Sequence, residues 1–362
     1  MKRRVALVIV IVAIGLGWRP LIRPGLQAGV IVADIYSTAL WHWNLAAFVS
    51  PPPRESETRE RFAGRELRVS WWRPGWGDRH PGIMVANGAT PAGNDDPETR
   101  RLAEALARGG YLVMLPEFSF LKEGRLEHGA TDQMDTAFAL LRGLPDTHDQ
   151  PAGAFGSSIG GGIMLAAAGR GGALARADYL AVLGTYFDMD TWLASVASAT
   201  QLRAGTLEPW PADSEVRDRL PAAALAGMDD DSDRAALRAA LDAGGFETVL
   251  GRLRALPGSV RATFEQLSPR TTWATIRPAV FWLHDADDRF EPISEAEAAL
   301  ATPRAGPTEL TVSHLISHAA PLPGDRSANG VGFWIGELWT LMGFALSVLR
   351  AGADHYLQSI EK

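Results

Sequence analysis

Short apolar runs alternate along this chain with longer stretches in which apolar residues recur every three or four positions. Residues 66–72, 81–86, 111–115, 152–155, 179–183, 279–283 and 309–313 have the length and composition of strands. Between them lie helical patterns, of which 97–108 is the most complete. Asp95-Asp96-Pro97-Glu98 supplies a capping carboxylate, a proline at the first helical position and an acid in the first turn. Leu102, Ala103 and Leu106 share one face, and Gly109-Gly110 stops the helix. Residues 132–144 read as another helix. The strands are apolar throughout rather than alternating, which implies a mostly parallel sheet covered by helices on both faces. The fold class expected is therefore α/β.

Residues 189–273 interrupt this pattern with no strand-like run and several helical ones, such as 234–241 and 246–256. They read as a helical insertion, with the core on either side at 66–188 and 274–362. The tail at 330–349 is apolar apart from Glu337 and holds Trp334 and Trp339. A last helix packed on the sheet is expected there, with apposition to a membrane as the other reading.

The start of the chain is different. Lys2, Arg3 and Arg4 precede fourteen uncharged residues, 5–18. At ~1.5 Å per residue these span about 21 Å, short of the ~30 Å hydrocarbon core of a bilayer. A second apolar segment, 25–49, carries Asp34, Trp41, His42 and Trp43. The two together suggest an uncleaved membrane anchor over residues 1–50 with its basic end inside and the globular domain outside the cytoplasm. A hairpin of two spans would return that domain to the cytoplasmic side. Pro51-Pro52-Pro53 and the charged run 54–61 read as a solvated linker over 51–65.

Composition narrows the chemistry. With 362 residues, 46% hydrophobic and 21% charged, the chain can bury a large core. A net charge of −7 gives no reason to expect nucleic acid as a partner. The absence of cysteine excludes disulfides, thiolate metal sites and a cysteine nucleophile. Asp229-Asp230-Asp231-Ser232-Asp233 lacks the glycine and glutamate of a calcium loop and reads as a helix cap. No metal and no cofactor is expected.

The most informative stretch is Gly156-Ser157-Ser158-Ile159-Gly160, where an apolar strand ends and a small-residue helix begins. A turn this sharp forces its apex residue into a strained conformation and crowds the positions two before and two after it. Gly156 and Gly160 flank Ser158 at those offsets, whereas Ser157 would be flanked by Phe155 and Ile159. The geometry selects Ser158. A phosphate-binding loop is the rival, but no Lys-Ser or Lys-Thr follows and Gly-x-Gly-x-x-Gly is not matched.

This stretch resembles the nucleophile elbow, G-x-S-x-G, of the α/β-hydrolase superfamily, and the resemblance extends over about 66–349. It implies a serine nucleophile followed in the chain by an acid and then a histidine. His284-Asp285-Ala286-Asp287-Asp288-Arg289-Phe290-Glu291-Pro292 is similar to the superfamily's H-G-x-x-D-x-x-V-P stretch, which puts the acid at Asp288. Asp285 stands where glycine is usual and Glu291 where valine is usual. Asp287 is an alternative acid, as is Asp188 one strand earlier. The histidine follows the last strand, at His318 in the loop or His314 at the strand's end, while His355 lies in the terminal helix. The resemblance also implies two oxyanion donors, the backbone N–H groups of Ile159 and of Ala89, and a helical cap over 189–273. The activity implied is hydrolysis of a carboxylic ester or related acyl compound through an acyl-enzyme. Acyl transfer, or a membrane-tethered binding protein that kept the fold and lost the chemistry, are the competing readings. A small acyl molecule, apolar in one reading, is the expected partner.

Overall fold

The computed structural model describes residues 23–41, 44–318, 320–321 and 329–360. The first apolar run, its basic flank and His42 lie outside the described residues. The strands of four or more residues are β1 (Arg54–Phe62), β2 (Arg65–Arg73), β3 (Gly82–Ala86), β4 (Leu112–Pro116), β5 (Ala152–Ser157), β6 (Tyr179–Leu183), β7 (Thr200–Arg203), β8 (Thr206–Pro209), β9 (Ala279–Asp285) and β10 (Thr308–Ser313). Eight of them form one sheet in the order β1-β2-β4-β3-β5-β6-β9-β10. Strand β2 runs antiparallel to both of its neighbours, β1 and β4, and β4, β3, β5, β6, β9 and β10 are parallel to one another. Every residue of β3, β4 and β6 is buried, as apolar strands covered on both faces require.

The longer helices are α1 (Arg23–Trp41), α2 (Pro97–Arg108), α3 (Ala130–Arg142), α4 (Ser158–Ala168), α5 (Met189–Ser198), α6 (Ser214–Ala226), α7 (Asp231–Leu241), α8 (Phe246–Arg254), α9 (Gly258–Leu267), α10 (Ile293–Ala301) and α11 (Val331–Ile360). Alternate residues of the central strands enter two separate cores. Met84, Ala154 and Val182 join α3, α4 and the α5–α9 region, while Val85, Phe155 and Ala181 join α1, α2 and α11. Helix α2 begins as expected: the Asp96 side chain accepts from the N–H of Thr99 at 2.9 Å, with Pro97 next to it.

Three expectations need correction. The charged run at 54–61 is not a linker but edge strand β1, paired over nine residues with β2. Its side chains are almost all exposed, so no hydrophobic periodicity marks it; backbone pairing and cross-strand contacts such as the Trp71 indole N–H to Thr58 (2.9 Å) hold it. The insertion is not wholly helical, because β7 and β8 form a hairpin. Ala204 and Gly205 both adopt positive φ at its turn, the geometry of a two-residue hairpin loop without its usual Asn-Gly signal. The apolar segment after residue 25 does not stand apart either. Helix α1 buries Ala28, Ile31 and Val32 in the second core, and the Tyr36 hydroxyl donates to the carbonyl of Leu315 at 3.2 Å.

Among the described residues, Val331–Gly352 of α11 is the one stretch long and apolar enough to cross a membrane, with mean hydropathy 1.4 and 17% of it buried. Val331, Ile335 and Trp339, spaced by four, present an exposed apolar stripe.

Candidate active site

The parallel strands deliver their C-terminal ends to one edge of the sheet, where open α/β folds bind ligands. Pairing of Ala86 with Gly156 sets the loop after β3 beside the turn from β5 into α4. Ser158 occupies that turn with φ of +49°, the left-handed region that side chains avoid. The flanking glycines are obligatory. A Cβ on Gly160 would lie 2.1 Å from the carbonyl oxygen of Asn87, and one on Gly156 would lie 2.5 Å from Cα of Gly161. The loop after β3 touches the serine directly, since a Cβ on Gly88 would stand 3.1 Å from Cβ of Ser158. Thr185, just past β6, donates its hydroxyl to the Ser158 carbonyl at 2.6 Å.

The loops after β9 and β10 bring the other groups. His318, also at positive φ (+52°), stacks on Phe290 with ring centroids 4.7 Å apart. Its N–H donates to Oδ2 of Asp285 at 3.1 Å, and its Nδ1 lies 3.1 Å from Oδ2 of Asp288. Asp288 is itself fixed, because its Oδ1 accepts from the N–H groups of Phe290 (2.8 Å) and Glu291 (3.0 Å). His284, fully buried at the end of β9, sits with Nε2 at 3.1 Å from the Glu291 carbonyl oxygen. The cap reaches the same loop. The indole N–H of Trp210 donates to the Asp288 carbonyl at 2.8 Å, and that of Trp192 to the Phe290 carbonyl at 3.0 Å.

Glu291 changes the expected triad. It is completely buried, and its Oε1 accepts the hydrogen bond of the Ser158 hydroxyl at 2.8 Å, while its Oε2 lies 2.9 Å from Nδ1 of His318. Among the described residues the hydroxyl's partner is thus Glu291 and not His318. The imidazole turns Nδ1 toward two carboxylates, and Glu291 stands between it and the serine. Burial opposes charge on His318, but Glu291 and Asp288 outweigh it and hold the imidazole well above its ordinary range. Burial likewise pushes Asp288 up, yet the facing imidazolium leaves it below the usual carboxylate range. For Glu291 burial prevails over His318, so its proton affinity is raised.

The remaining candidates are engaged elsewhere. His314 is turned outward with Nδ1 3.0 Å from Glu337. Asp287 is exposed. Asp188 caps α5 and its Oδ2 accepts from Arg270 at 2.6 Å, so it orients a helix and not an imidazole. Asp230 caps α7, as read from its sequence. Ile159 and Ala89 line the same cavity, of about 920 Å³, onto which Ser158 and His318 open. Sequence reasoning gave no role to Glu291 or Asp285. Both were nevertheless visible as the two residues that depart from the H-G-x-x-D-x-x-V-P pattern. Donor atoms of Asp288, Glu291 and His318 lie within 4.8 Å of one another, close enough to share a cation. The imidazole between the two carboxylates already offsets one of their two charges.

No family model and no curated protein matches the chain. Solved structures do. A 2,6-dihydroxy-pseudo-oxynicotine hydrolase matches at 16% identity with a TM-score of 0.51, covering 90% of this chain and 80% of that one. DcsB, in complex with its substrate analogue, matches at 12% identity and a TM-score of 0.50, over 82% of this chain and 99% of its own. The Pyrococcus horikoshii acylaminoacyl peptidase matches at 12% identity and a TM-score of 0.50 over 83% of this chain, which spans 41% of the peptidase. At these identities the likeness concerns architecture. Strand order, covered faces and these neighbours together establish that the chain has the α/β-hydrolase fold.

Proposed function

We propose that the protein is a serine hydrolase that cleaves carboxylic esters or related acyl compounds through an acyl-enzyme. The observation that carries this reading is the strained Ser158, hydrogen-bonded at the same strand edge to a carboxylate that adjoins the His318–Asp288 pair. Ser158 Oγ attacks the acyl carbon, and its proton moves first to Glu291, the group it already donates to. A carboxylate of raised proton affinity is the better base. His318, held by Asp288, lies against the other oxygen of Glu291 and stabilises the charge as the proton shuttles. The N–H groups of Ile159, at the start of α4, and of Ala89 take the oxyanion. Proton return to the leaving group and attack by water complete the cycle.

The expectation that His318 takes the proton directly is the second reading, favoured by its pairing with Asp288. Attachment to a membrane, expected from the N-terminus, is supported within the described residues by α11 alone.

The test is labelling by a fluorophosphonate together with hydrolysis of p-nitrophenyl acetate. Both are expected in the wild type and lost in Ser158→Ala, with turnover down by at least ~10⁴-fold. A wild type that the probe leaves unlabelled rules out the acyl-enzyme.

A further inference from the structure

The cavity in front of Ser158 does not end beneath the cap. One part of its lining comes from the cap, at Trp192, Val216 and Leu220. The other part lies on the sheet itself, under α1 and α11, where Phe155, Ala181 and Leu183 of the strands meet Ile31, Phe344 and Ala345 of the helices. Tyr111, Tyr179 and Leu349 line its far end. Leu183 stands at the C-terminal edge of β6, beside the site, and Tyr179 at the start of the same strand. Four residues at ~3.3 Å each put about 13 Å between them. The space therefore runs down the sheet, away from the edge where such folds hold their ligands.

Three features identify what fits there. Apart from the phenol groups of Tyr111 and Tyr179 at its far end, the wall is apolar side chain from both layers, so a polar occupant would lose most of its hydration without replacement. Small residues, Ala181 on the sheet and Ala345 on α11, line it from opposite walls, where bulk would narrow it. The length suits a chain: at ~1.2 Å per bond, one third of an extended residue, 13 Å holds about eleven bonds.

We propose that this lobe is an acyl chamber, and that the substrate of Ser158 is an ester of an unbranched acyl chain of about ten carbons or more, lying along β6 beneath α1 and α11. The inference rests on Ser158 being the acyl acceptor. It goes further in assigning the chain to the space between sheet and helices and not to the cap.

The experiment combines hydrolysis of p-nitrophenyl esters from two to sixteen carbons with binding of cis-parinaric acid, a fluorescent eighteen-carbon fatty acid, to the full-length protein. For the wild type, kcat/KM should climb with chain length to about ten carbons, by up to roughly fourfold per methylene, and parinarate should bind. Ala345→Trp, and Ala181→Leu as a second block from the opposite wall, should cut turnover of the ten- and twelve-carbon esters at least ~10-fold and abolish parinarate binding. Turnover of the acetate should stay within about twofold in both. Acetate turnover with no dependence on chain length and no parinarate binding would overturn the chamber and leave Ser158 chemistry standing. Parinarate binding that the two blocks leave unchanged overturns it equally. A protein that binds parinarate at this site yet turns over no ester would instead refute the reading of Ser158.

Discussion

The two faces of the sheet are made by the same strands and filled differently. On the side of α3 and α4 the packing leaves no slack. A Cβ on Gly161 would lie 2.9 Å from the carbonyl oxygen of Gly156, and one on Gly162 would lie 2.4 Å from the ring of Tyr186. On the side of α1 and α11 the same strands front a large cavity beside packing that is locally as tight, since a Cβ on Gly153 would lie 2.3 Å from the ring of Tyr179. The contrast separates two tasks. A strained serine holds its conformation only where its surroundings over-determine it, so the closed face carries the elbow helix. A ligand needs room, so the open face carries the space.

The seam between these faces is where the largest effect is expected. Glu291→Gln keeps the shape of the side chain that receives the Ser158 hydroxyl but removes its basicity. Ester turnover should fall by ~10²–10⁴-fold, measured as kcat at saturating p-nitrophenyl butyrate. A fall of less than about fivefold would return the proton directly to His318.

Next in size is a buried acid on the closed side. Glu295 accepts from the N–H groups of Phe187 (2.9 Å) and Asp188 (2.8 Å), and burial pushes its pKa from 4.5 up to about 7. The folded protein therefore holds a proton that the unfolded chain releases. The associated stability is complete below pH 4.5 and is lost as pH rises through about 7. At ~1.4 kcal/mol per tenfold change in proton affinity, the loss amounts to about 3 kcal/mol. Urea unfolding at pH 5 and pH 8 should show a loss of stability in the wild type that is smaller in Glu295→Gln by most of that amount, the loss that remains coming from other groups of raised proton affinity such as His318 and Glu291. Equal slopes in both proteins would place the pH dependence elsewhere.

The smallest expected effects test the packing contrast itself. Gly162→Val drives a side chain into Tyr186 and should cost roughly 1–3 kcal/mol. Ala345→Leu adds bulk toward the open side and should cost under ~1 kcal/mol. Equal shifts of the two urea midpoints would mean that the faces do not differ as their geometry implies.

How much of this was legible beforehand follows from what each element buries. The parallel strands and α2 were readable because their apolar positions and caps are set by burial on two faces. Ser158 was readable because steric crowding at a sharp turn can be checked against single residues two positions away. Strand β1 was not, since a charged edge strand buries little and its partners lie on β2. The β7–β8 hairpin was hidden because Ala204 takes a backbone conformation that its side chain disfavours. Glu291 was noticed only as a mismatch to a pattern. Its meaning depends on Ser158, 133 positions away in the chain, and no local window contains both.

The indole contacts of Trp192 and Trp210 bear on how far the molecule can be simplified. Both hang from the inserted segment, yet both grip the carbonyls of the loop that carries Asp288 and Glu291. The roof is thereby a buttress for the chemistry beneath it. A shortened version lacking residues 189–273 would lose the supports of its own acidic groups, so the insertion is no removable accessory.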